Sequence, residues 1–133
     1  MKLLYLLAIP FTLNASVEYV GDSIAHGYRL ATRGVGITEV GASPREVFRM
    51  LQRSKGSDTV VLSTGASNDC NDITGVKRNI EFAQHKYHSV YILDAPKCGG
   101  LIKTWVHPIT FTPGPDGVHP RRYRVLEIPN GSN

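Results

Sequence analysis

Short β-rich runs alternate with helix signals along most of the chain, and this alternation limits the fold more than any other feature. Val17-Glu18-Tyr19-Val20 ends at the turn Gly21-Asp22-Ser23, and Ile24 to Thr32 fits a short helix closed by Arg33-Gly34. Ile37-Thr38-Glu39-Val40 reads as a second strand ending at Gly41. Ser43 then opens a helix as N-cap, with Pro44 at the first position and Glu46 three residues after the cap. Val47, Phe48, Met50 and Leu51 give that helix an apolar face. Thr59-Val60-Val61-Leu62-Ser63 is the clearest buried strand, Asp72 caps a helix over 73–86, and Ser89-Val90-Tyr91-Ile92-Leu93 is a fourth strand. Residues 97–115 are Gly- and Pro-rich, with room for a short fifth strand within 105–110. His119-Pro120 reads as the start of a last short helix carrying Tyr123, Val125 and Leu126. Strands that alternate with helices build a parallel sheet covered on both faces. The expected class is therefore α/β, a three-layer α/β/α fold with a small parallel sheet of four to five strands.

The chain has 133 residues, which favours one domain. Its hydrophobic fraction of 41% and charged fraction of 20% are those of a globular protein and argue against disorder. No apolar stretch reaches the roughly 18–20 residues of a membrane-spanning helix, so no integral membrane association is expected. Two cysteines cannot make a disulfide scaffold, and no CxxC pair or other metal-ligand spacing is present. No metal or other cofactor is expected. The net charge is +4, with Arg121-Arg122 the only adjacent basic pair. Scattered basic residues fit a solvated surface, or attraction to an anionic polymer such as an acidic polysaccharide. A nucleic-acid partner is not expected, because no basic run interleaves with aromatics.

Residues 1–15 place Lys2 before an apolar run and a small residue, Ala15, after it. That is the pattern of a secretory signal peptide cut after Ala15, which leaves 16–133 as a single domain. The alternative is a first strand or helix of the domain, although Pro10 opposes a continuous helix. Removal of 1–15 would put the protein in a secreted or extracytoplasmic compartment, where Cys70 and Cys98 could pair. Retention would leave it cytoplasmic.

Sites on parallel sheets form at the carboxyl ends of the strands. Ser23, Gly41, Asn68, Asp116 and His119 all fall in segments that leave those ends. In Asp116-Gly117-Val118-His119 the spacing can bring a carboxylate to the imidazole Nδ1, which fixes the tautomer and leaves the other nitrogen free to take a proton. A serine hydroxyl is a weak nucleophile and needs such a base, a role open to His119 toward Ser23. Gly41 and Ser23 offer backbone N–H groups, and Asn68 a side-chain amide, to a developing oxyanion. Singly, each residue has a plainer reading: Ser23 as a helix N-cap, Gly41 as a turn glycine, Asn68 as a loop residue bonding its own backbone. His26 could line the pocket, or simply occupy a helix surface. Trp105 could stack on a sugar, or plug the core. His85 and His88, at a helix end, read as structural.

Together, Gly21-Asp22-Ser23, Gly41, Ser67-Asn68-Asp69 and Asp116-Gly117-Val118-His119 stand in the order and places of the SGNH (GDSL-like) hydrolase family, which nearly the whole chain after residue 16 resembles. The tail His119-Pro120-Arg121-Arg122-Tyr123 resembles that family's closing helix. The resemblance implies an SGNH or flavodoxin-like variety of the α/β fold. It also implies Ser23 as nucleophile, His119 as base and Asp116 as its orienting acid. The oxyanion hole would comprise Ser23, Gly41 and Asn68. One departure is Ala66, where the family carries glycine, with Gly65 just before it. The second is the small size of the chain, which implies a shallow pocket.

The expected function is a serine hydrolase cleaving carboxylic esters through an acyl-enzyme, with a small ester or an acetylated glycan as substrate and Trp105 and His26 as candidate substrate-binding residues. The alternative is a catalytically inactive glycan-binding or structural module of a secreted or viral assembly. A nucleotide-binding domain is disfavoured, since the glycines at 34, 36 and 41 form neither GxGxxG nor a Walker pattern.

Overall fold

The structure is a computed structural model and describes residues 17–66, 70–93 and 106–124. The segment 1–16, with its expected signal peptide, lies outside the described residues, as do Asn68, Cys98 and Trp105. Five strands, β1 (Val17–Gly21), β2 (Val35–Thr38), β3 (Thr59–Ser63), β4 (Ser89–Leu93) and β5 (His107–Ile109), pair in parallel in the order β2-β1-β3-β4-β5. Three helices connect them: α1 (Ser23–Thr32), α2 (Pro44–Arg53) and α3 (Ile73–Lys86).

The order explains the layers. The chain steps from β1 outward to β2, then returns across β1 to β3 and continues to β4. Right-handed crossovers then put α1 on one face and α2 and α3 on the other. The last two helices pack together, with the Phe48 and Phe82 rings edge to face at 5.2 Å and the Arg78 guanidinium 4.4 Å from the Phe48 ring centre. β3 lies at the centre and is buried along its length, which its apolar run anticipates. Around it Val20, Ile24, Leu51, Val61, Leu62, Val76 and Ile92 form the core.

Two expectations need correction. The second strand is Val35–Thr38 rather than 37–40, because pairing with β1 fixes its register from Glu18↔Val35 to Gly21↔Thr38. Beyond Thr38 one bond remains, from Glu39 N–H to the Gly21 carbonyl, and the chain then turns. The expected closing helix at His119-Pro120 is absent among the described residues to Arg124. Pro120 instead bridges Pro113, and the Arg121 N–H donates to the Thr112 carbonyl at 2.8 Å.

The amino edge of the sheet is sealed by polar side chains. Buried Glu18 accepts hydrogen bonds from the Lys55, Gly56 and Ser57 N–H groups, the Ser57 hydroxyl and the Tyr87 hydroxyl. Burial raises its pKa, but the bonds from Tyr87, Ser57 and Lys55 outweigh burial and hold the carboxyl below its ordinary 4.5. A folded pKa below the unfolded one means that the stabilisation is complete above about pH 5 and fades as pH falls through the folded value. Glu18→Gln is therefore expected to cost about 2–4 kcal/mol at pH 7, with the gap to wild type narrowing below about pH 4, checked by urea unfolding at both pH values.

Candidate active site

At the opposite, carboxyl end of the strands the strand order places a crevice. Chains leave β1 and β3 toward opposite faces, the arrangement in which α/β sheets bind ligands. Asp22 follows β1 directly and is fully buried. Its Oδ1 accepts from the Ser63 hydroxyl at 2.6 Å and the Ile24 N–H at 3.2 Å, and its Oδ2 from the Ala66 N–H at 3.2 Å. Asp22, not Ser23, is thus the N-cap of α1, and it also ties the exits of β1 and β3 together. Burial raises its pKa against these hydrogen bonds.

Ser23 is consequently the first residue of α1, half-buried, at the electropositive helix end. Its Oγ lies 2.7 Å from His119 Nε2, across 96 residues of sequence. His119 Nδ1 lies 2.6 Å from Asp116 Oδ2. Asp116 Oδ1 accepts from the Val118 and His119 N–H groups, both at 2.9 Å. The hydrogen bond from His119 and these two amides pull the Asp116 carboxyl down to about 2. An ionised carboxylate only accepts, so Nδ1 carries a proton, and in the neutral tautomer this selects, Nε2 is the nitrogen that accepts from the Ser23 hydroxyl. The arrangement can activate the hydroxyl by removing its proton.

The local chain explains how Asp116 reaches His119. Gly117 N–H donates to the Gly114 carbonyl, and Gly114 N–H donates to the His119 carbonyl at 2.7 Å. These bonds, with the Pro113–Pro120 bridge, close residues 112–121 into a tight loop. Tyr123 then packs edge to face on Tyr28 at 5.1 Å, which docks the loop on α1. The His119 and Asp116 side chains are 43% and 53% exposed, so the pair stands at a shallow surface rather than in a deep cleft.

The other expected site residues divide. Gly41 is exposed, in the loop that leaves β2 beside Gly21. Among the described residues nothing accepts from its N–H. His26 reaches sideways: its Nδ1 lies 2.9 Å from the Thr38 hydroxyl, which also accepts from Arg29 Nε at 2.8 Å. His107 opens β5 and stacks on Tyr91 at 4.7 Å, and His85 Nδ1 donates to the Glu81 carbonyl at 2.8 Å. Ala66, the departure from the family pattern, is buried with its N–H on Asp22. Cys70 is disulfide-bonded. Among the described residues no three His, Cys, Asp or Glu side chains gather as a metal site, and no helix is long and apolar enough to cross a membrane.

Asn79 supports the site and had no place in the sequence reading. It is fully buried on α3, and its Nδ2 donates to the Pro44 carbonyl at 2.8 Å and the Thr64 hydroxyl at 2.9 Å. It thereby joins the end of the Gly41 loop to the exit of β3. Its sequence signal is its spacing, since it shares the buried helix face of Val76 and Ala83.

Compared with protein-family models, curated protein sequences and solved structures, the chain finds no match.

Proposed function

We propose that the protein is an SGNH-type serine esterase that cleaves carboxylic esters, acetyl esters of a glycan foremost, through an acyl-enzyme. The observation that carries this reading is the unbroken chain Ser23 Oγ to His119 Nε2 to Asp116, with links of 2.7 and 2.6 Å. His119 takes the Ser23 proton as Oγ bonds to the ester carbonyl carbon. The N–H groups of Ser23 and Gly41 would meet the resulting oxyanion, and the family resemblance assigns Asn68 as the third donor. Collapse breaks the bond to the alkoxide, which leaves with the proton from His119. Water, deprotonated by His119, then attacks the acyl-Ser23, and collapse returns the carboxylic acid and the free serine. Asp116 holds the tautomer and stabilises the imidazolium at each step.

The open surface around His119 suits a short acyl group on a bulky alcohol better than a long acyl chain, which needs a deep apolar slot. The disulfide at Cys70 supports an oxidising, extracytoplasmic setting. The test is incubation with a fluorophosphonate, followed by intact mass and peptide mapping. One phosphonyl group on Ser23, absent from the Ser23→Ala protein, together with hydrolysis of p-nitrophenyl acetate is the expected result. A folded wild type that neither labels nor hydrolyses would overturn the esterase and leave the glycan-binding module.

A further inference from the structure

Along the 112–121 loop the structure holds a groove of about 620 Å3, lined by Tyr28, Phe111, Thr110, Thr112 and the three arginines Arg121, Arg122 and Arg124, with Ser23, Asp116 and His119 outside the lining. Its volume is within the roughly 300–1,000 Å3 of small-ligand sites. All three arginines are exposed, and among the described residues no carboxylate forms an ion pair with any of them. Asp116, the nearest acid in sequence among the described residues, is engaged by His119. Three guanidinium groups in four residues thus have no ion-pair partner among the described residues, and guanidinium stays charged at every working pH.

The groove is continuous with the catalytic loop. Arg121 is two residues from His119, at most about 7 Å of extended chain, and its N–H is fixed on Thr112, another lining residue. Tyr28 stands five residues along α1 from Ser23, roughly 7.5 Å of helix rise and about 140° around the axis. Only an ester whose alcohol is an oligosaccharide would therefore meet both Ser23 and the arginines. Tyr28 is buried at the floor of the groove against Tyr123, the half-buried Phe111 ring offers apolar surface, and the exposed Thr110 and Thr112 hydroxyls offer donors and acceptors. Hydroxyls, one aromatic ring and bidentate cation forks together match a sugar that carries a carboxylate.

We infer that this groove is a subsite for the carboxylate-bearing sugar of an acidic glycan, so that the esters cleaved at Ser23 are those of uronate-type residues. The inference rests on the esterase reading. A nucleic acid fits less well, because single strands are tracked along grooves several nucleotides long, whereas this groove is compact.

Two experiments separate the inference from its foundation. In the first, kcat/KM is measured on acetylated oligogalacturonate and on an acetylated neutral xylo-oligosaccharide of equal length. The acidic substrate is expected to be preferred by roughly tenfold or more at about 20 mM salt, with the preference lost near 0.5 M. Arg122→Gln/Arg124→Gln is expected to erase the ratio, which is internal to each protein and so insensitive to partial loss of folded material. The second experiment needs no turnover. De-esterified oligogalacturonate is titrated into Ser23→Ala by calorimetry, with a neutral xylo-oligosaccharide and a single-stranded DNA of similar charge as comparisons. Saturable binding of the uronate alone, weakened by the double substitution, supports the subsite even if no ester is hydrolysed. No preference in the first experiment, equal binding of neutral sugar in the second, or tighter binding of the DNA overturns it.

Discussion

His119→Ala is expected to lower kcat/KM for p-nitrophenyl acetate by about 10³–10⁶, with the protein as stable as wild type to within about 1 kcal/mol. The reason is local. The Ser23 hydroxyl has one acceptor among the described residues, His119 Nε2 at 2.7 Å, and without it no group takes the proton during attack. The stability cost is small because the imidazole is 43% exposed, lies outside the hydrophobic core, and leaves a Ser23 hydroxyl and an Asp116 carboxylate that can turn to water. Asp116→Asn should lower kcat/KM by about 10⁴, for a different reason. Its amide oxygen can keep the Val118 and His119 N–H bonds, which turns its NH2 toward Nδ1. Two donors then face each other, the imidazole proton moves to Nε2, and the acceptor for Ser23 is lost. Because the wild-type carboxyl titrates at about 2, Asp116 stays ionised from about pH 4 upward. The Asp116→Asn deficit should therefore not arise from titration of that carboxyl anywhere between about pH 4 and 9. The measurement is a pH series of kcat/KM on both proteins, with near-equal activity of Asp116→Asn and wild type counting against the role.

The parts of this account that could be read from the sequence are those set by neighbours in the chain. The capping box at the start of α2 is present in full, with the Ser43 N–H bonded to Glu46 and the Glu46 N–H bonded to Ser43. The buried run 59–63 is β3, and Asp72 caps α3 through the Gly75 N–H. The three-residue spacing allows the Asp116–His119 contact but by itself more often marks a cap beside a surface histidine, so the resemblance to the SGNH pattern, not the spacing, singles it out. What was not legible depends on partners distant in sequence. The register of β2 is set by β1, so an edge strand of mixed polarity slid by two residues in the reading. Pro120 and Tyr123 resembled a helix start until the Pro113 bridge and the Tyr28 ring claimed them. Asp22 reads from the sequence as part of the Gly21-Asp22-Ser23 turn, whereas its shortest bond crosses to Ser63, 41 residues away. The groove arginines looked like scattered surface charge, since only the folded loop brings Tyr28 and Phe111 beside them.

Gly21→Ala is expected to destabilise the protein by about 3 kcal/mol or more, enough to remove most soluble folded material. Gly21 ends β1 at a φ of +140°, a conformation that side chains rarely adopt. A Cβ there would also overlap the backbone carbonyl of Ser63, its direct partner in the β1–β3 pairing. That carbonyl accepts from the Asp22 N–H at 3.2 Å, so it cannot retreat without breaking the bond. Forcing the strands apart at this point pulls Asp22 from Ser63 and Ala66, leaves a buried carboxylate short of donors, and moves Ser23 away from His119. Gly41→Ala separates the two causes. Gly41 also has a positive φ, of +80°, but an added Cβ meets nothing within 4 Å. Only the backbone strain applies there, about 1 kcal/mol, and the variant should remain folded. Urea unfolding and soluble yield of the two variants give the comparison. If Gly21→Ala unfolds at the same urea concentration as Gly41→Ala, then the close contact of β1 with β3 is not what holds the Ser23 turn in place.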